Sequence, residues 1–132
     1  MKFKLPDKVN IDGVNVRPYL TLDEQKIIAD EMDNFDTVFE REAMMVACVV
    51  SACTDVFDGD ENIEYSYEDI VYSGFWGKIL HKCPAINDAV KNIRAEIRDR
   101  HSAERVGKII LDEINSGLID KLTEEVNNLG SE

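Results

Sequence analysis

The chain has 132 residues, 44% hydrophobic and 32% charged, with 27 acids against 15 bases for a net charge of −12. That length fits one domain with a single core, and the apolar fraction excludes a disordered chain. The charge disfavours direct binding to a phosphate backbone, which needs basic surface, and no apolar run approaches the ~20 residues of a membrane span.

The first predicted element is a β-hairpin. Lys8-Val9-Asn10-Ile11 and Val14-Asn15-Val16-Arg17 flank Asp12-Gly13, a pair that suits a two-residue turn because both positions need positive φ. The turn length sets Ile11 opposite Val14 and Val9 opposite Val16, so these four aliphatic side chains share one face. A lone two-stranded hairpin is barely stable in water, so this one must lie on the helices or pair with another chain.

Thr21-Leu22-Asp23-Glu24 is a capping box, and it starts a helix running to about Asn34 with Ile28, Met32 and Phe35 on one stripe. Asp36-Thr37, with Glu40 following, opens a second helix to about Thr54. Its stretch 43–53 is uncharged, which suits a helix buried on most sides. A polar loop covers 58–62. Ser66 and Asp69 cap a third helix, Tyr67 to Lys82, and Pro84 closes it and opens the next. The fourth helix, from Ala85 to about His101, carries Ile86, Val90, Ile93 and Ile97. A last helix over 103–129 places Val106, Ile110, Ile114, Leu118, Leu122, Val126 and Leu129 inward, with Ser116-Gly117 as a possible kink. The expected architecture is mainly α, a compact single-domain bundle of about five helices with an N-terminal hairpin.

Chemical signatures are weak. Asp58, Asp60, Asn62, Glu64, Ser66 and Asp69 have the spacing of a calcium loop, but Ile63 stands where the sharp turn needs glycine and Asp69 replaces the bidentate glutamate. A solvated loop that caps the third helix explains the same residues. Cys48 and Cys53 read as small core residues, and no C-x-x-C, H-E-x-x-H, P-loop or G-x-S-x-G pattern is present. His81 and His101 fit helix ends, where the dipole favours them. A catalytic reading would need His81, Cys83 and carboxylates to converge in a pocket. No enzyme activity and no cofactor are expected. The odd number of cysteines and the absence of a secretory signal suit a reducing, intracellular setting.

Interaction features are more informative. Tyr72-Ser73-Gly74-Phe75-Trp76-Gly77 contains the sole tryptophan and two helix-weakening glycines. It reads either as tight packing against the second helix or as an aromatic partner anchor through Tyr72 and Trp76. Charge is also uneven: residues 20–70 hold fifteen acids and two bases, and residues 78–108 hold eight bases and four acids. These are solvated helix faces on the plain reading. On the sharper one, the basic stretch Lys91, Arg94, Arg98, Arg100 and Arg105 meets an acidic partner, including a neighbouring copy.

The run Val14-Asn15-Val16-Arg17-Pro18-Tyr19-Leu20-Thr21-Leu22-Asp23-Glu24-Gln25-Lys26-Ile27 resembles the start of a small protein from virion-morphogenesis modules of tailed phages of Gram-positive hosts. There, too, a short hairpin leads into a helix start. The apolar second helix, Glu68-Asp69-Ile70-Val71-Tyr72-Ser73-Gly74 and Ala85-Ile86-Asn87-Asp88-Ala89-Val90 resemble the rest of that pattern, over about three quarters of the chain. The resemblance implies a non-enzymatic part in building or completing a virion, in the host cytoplasm during assembly and then in the particle. The implied partners are other phage structural proteins or copies of this chain, with no direct nucleic-acid binding and no membrane. The hairpin face Val9, Ile11, Val14 and Val16 is the first expected contact, by strand addition to a neighbour, and the basic stretch the second. A transient tail-assembly chaperone is the alternative. A different class is an acidic inhibitor of a host defence protein, with the carboxylates of 20–70 mimicking nucleic acid.

Overall fold

A computed structural model describes residues 2–58 and 65–130. The calcium-loop positions Asp60, Asn62, Ile63 and Glu64 lie outside that range. So do the side chains of Leu118, Leu122, Val126 and Leu129. Among the described residues the chain is mainly helical behind an N-terminal hairpin, as its sequence predicts. The order is β1 (Val9–Ile11), β2 (Val14–Val16), α1 (Leu22–Met32), α2 (Val38–Cys53), α3 (Tyr67–Tyr72), α4 (Phe75–Lys82) and α5 (Pro84–Gly130). The chain divides into two compact units, 1–97 and 98–132, with α5 running through both.

The hairpin forms in the expected register, with Val9 opposite Val16, Asn10 opposite Asn15 and Ile11 opposite Val14. Asp12 and Gly13 take φ of 52° and 84°, the paired positive values of a type I′ turn. The Asn10 Oδ1 accepts the Gly13 N–H at 3.2 Å and holds the turn. Ile11 and Val16 are fully buried, and Val9 and Val14 pack half-buried against the same core. The ribbon therefore lies on the chain's own helices.

Three polar contacts fasten it there. The Arg17 N–H donates to the Cys53 carbonyl at 2.8 Å, tying the end of β2 to the end of α2. The Arg17 guanidinium grips both Glu24 oxygens at 2.5 and 2.6 Å and lies 5.1 Å from the Tyr19 ring. Lys78 of α4 reaches Asp12 at the turn at 2.9 Å.

The predicted caps are in place. Thr21 with Glu24 and Ser66 with Asp69 form reciprocal capping boxes, and the Thr37 hydroxyl accepts the Glu40 N–H. The core of the first unit joins Ile28 and Met32 of α1, Met45, Val46, Val49 and Val50 of α2, and Ile79 of α4. From α5 it takes Ile86, Val90 and Ile93.

Two helix boundaries differ from expectation. The single helix expected over 67–82 is two, because Gly74 sits at φ 87°, a left-handed conformation that interrupts a right-handed helix. The fourth and last helices are one, Pro84–Gly130, since His101-Ser102-Ala103 contains neither proline nor glycine to end the fourth. His101 accordingly stands inside a helix rather than at its end. Its Nδ1 lies 3.6 Å from Glu104.

Ile11→Ala is expected to lower unfolding free energy by about 2–5 kcal/mol, and Lys26→Ala on the exposed side of α1 to change it by less than about 0.5, as read from urea unfolding. A second outcome concerns acid. Burial raises the Glu24 carboxyl, but the Arg17 guanidinium and the Thr21 amide and hydroxyl outweigh it, leaving the group below its ordinary 4.5. A depressed carboxylate stabilises the fold above its unfolded value and loses that effect as pH falls through the folded one. The stability gap between the native chain and Glu24→Gln should therefore shrink below pH 4.5.

Candidate interaction surfaces

The expected contact residues are placed very differently from one another. Val9, Ile11, Val14 and Val16 come together on one face, but the chain's own core takes that face. Ile11 and Val16 have no exposed surface, so their side chains are not a partner contact. Trp76 is also a core residue at 7% exposure, because the turn at Gly74 directs α4 with Trp76 and Ile79 inward. Tyr72, at the end of α3, stays 78% exposed. The aromatic pair is thus divided between two helices and two environments. A Cβ built on Gly74 or Gly77 meets nothing within 4 Å, so the glycines are not explained by packing against α2.

The basic stretch divides as well. Lys91 and Arg94 belong to the first unit, and Arg98, Arg100 and Arg105 to the second. Arg94 forms a two-pronged ion pair with Glu42 of α2, which commits it to holding α5 on α2. Arg100 is half-buried and already engaged, whereas Lys91, Arg98 and Arg105 are exposed.

The cysteines behave as packing residues. Cys53 and Cys83 are buried and Cys48 is half-buried, all as free thiols. Burial pushes the Cys53 thiol up to about 11, with nearby Arg17 opposing it in part, and burial raises Cys48 and Cys83 too. His81 is exposed while Cys83 is fully buried, so the two do not share a pocket. Among the described residues, no three His, Cys, Asp or Glu side chains gather as a metal site would require. No helix of the described residues is long and apolar enough to cross a membrane.

Two apolar surfaces were not anticipated. One is a groove of about 480 Å³ between α1 and α2, floored by Ile28, Ala47 and Cys48 and flanked by exposed Ile27 and Phe57. The uncharged run 43–53 suggested burial on most sides, but one flank of α2 stays open here. The other is on the second unit. Val106, Ile109, Ile110, Leu111 and Ile114 are 53%, 52%, 50%, 61% and 58% exposed. The inward placement expected for Val106, Ile110 and Ile114 is therefore corrected. A signal was available: steps of four residues turn an α-helix by about 40° each, so a run of apolar residues every four positions winds round the helix instead of staying on one core-facing side.

Comparison with protein families, with curated proteins and with solved structures finds no match for this chain.

The thiols give a direct check on the packing. In the folded protein at pH 8, Cys53 and Cys83 should resist alkylation, and all three cysteines should label once urea unfolds the chain, as counted by mass spectrometry.

Proposed function

We propose that this chain is a non-enzymatic protein–protein interaction component of phage particle assembly, virion-associated near the capsid or the head–tail junction. The observation that carries the interaction half of this reading is the aliphatic cluster on the second unit. Five large aliphatic side chains within nine residues are at least half exposed. Scattered apolar residues are normal on a surface, but a contiguous patch rimmed by charge marks a binding site. The phage half rests on the resemblance carried by Val14–Ile27 and the segments after it. The hairpin adds no support as a side-chain contact, since its aliphatic face is consumed within the chain.

Gradient-purified particles from cells expressing the morphogenesis module provide the test. Mass spectrometry is expected to find the native chain in mature particles, and Ile110→Asp to reduce its incorporation at least tenfold while circular dichroism stays helical. Presence in precursors but absence from mature particles would assign the chaperone role instead. Absence from both would remove the assembly reading.

A further inference from the structure

We propose that the helix of the second unit, residues 98–130, pairs antiparallel with the same helix of a second copy of this chain, with Ile110 at the two-fold axis. This rests on the interaction reading above and names the partner.

The apolar pattern is self-complementary. Val106, Ile110 and Ile114 lie at i, i+4 and i+8, symmetric about Ile110, with Ile109 and Leu111 on either flank, and all five are exposed. Turning a second helix about Ile110 lays Val106 of each copy on Ile114 of the other and Ile110 on its own equivalent. That is an isologous contact, the form taken by most soluble homodimers. Gly107 and Gly117, three residues before and seven after Ile110, fall on the same side. Neither has a positive φ, and a Cβ on either meets nothing within 4 Å. Each costs ~1 kcal/mol against alanine inside a helix, and the chain's own packing requires neither. Small residues there allow a second helix to come close.

Charge selects both the partner and the direction. Residues 98–108 hold four bases and two acids, and residues 112–125 hold five acids and one base. Parallel pairing would stack like on like. Antiparallel pairing sets the basic end of each copy along the acidic end of the other, and it places exposed Asp99 at the level of exposed Lys121. It also sets the two junctions at residue 98 far apart. Of the net −12, residues 98–132 carry −3, from five bases and eight acids, which leaves −9 on each first unit. In a parallel pair the two residue-98 positions would lie side by side. In the antiparallel pair they are 24 residues apart, about 36 Å, well beyond a Debye length of about 8 Å at physiological salt.

The test uses the full chain. Light scattering after size exclusion is expected to give twice the 15.0 kDa mass of one chain, and Ile110→Asp to return it to the single mass. Cysteine variants in a Cys48→Ser background, treated with a short bis-maleimide, report the direction. Ile110→Cys should cross-link to itself. Val106→Cys and Ile114→Cys should not cross-link alone but should do so when mixed, because each lies about 12 Å along the axis from its own equivalent. Self-cross-linking of Val106→Cys and Ile114→Cys alone would mean a parallel pair and overturn the proposal. A monomer at every soluble concentration, with no cross-link in any variant, overturns it too. If Ile110→Asp still lowers particle incorporation in that case, the interaction reading survives with a different partner. If it changes neither readout, both fall.

Discussion

The fold turns on how a ribbon of six residues is covered. A hairpin this short has too few contacts to hold itself, yet it presents Val9, Ile11, Val14 and Val16 on one side. The helices supply the missing surface. Once Ile11 and Val16 are sealed against the core, Arg17 is carried to the end of α2, where its N–H meets the Cys53 carbonyl. Its guanidinium is then in reach of Glu24, which also completes the capping box of α1. One apolar contact therefore sets the position of β2, the start of α1 and the end of α2 together.

That economy has a functional consequence. The apolar face that invites strand pairing with a neighbour is used up internally, and so is Trp76. What is left for partners lies elsewhere, on the open flank of α2 and on the helix after Ile97. The first unit builds one contiguous core, with apolar groups such as Ile27 and Phe39 left exposed outside it. Among the described residues of the second unit, Val106, Ile109, Ile110, Leu111 and Ile114 lie in water on a helix that gains most of its stability from packing, the mark of a surface meant to be covered.

Electrostatics divides along the same lines. Much of the excess acid sits on the first unit, where three bases are drawn into ties with acids: Arg17 to Glu24, Lys78 to Asp12 and Arg94 to Glu42. These pairs are partly exposed, so their value is in fixing geometry more than in adding stability. The second unit is different, with its bases gathered toward one end and its acids toward the other. A polarised helix of that kind discriminates between directions of approach, which uniformly acidic surface does not.

The local features were legible in the sequence because they depend on neighbours a few residues apart. Asp12-Gly13 dictated the turn and the register, Thr21, Thr37 and Ser66 dictated the helix starts, and the spacing of Ile86, Val90, Ile93 and Ile97 dictated a buried stripe. Tertiary structure alone decided which of two coverings the hairpin received, because the sequence pattern is the same whether helices or a neighbour supply the surface. It also decided that Gly74 adopts a left-handed conformation, splitting one predicted helix, and that Arg94 is committed to Glu42, fifty-two residues away in the chain. Above all it decided that Val106, Ile110 and Ile114 face water. Periodicity reports that a helix has an apolar side, but whether anything lies against that side depends on where the rest of the chain has gone.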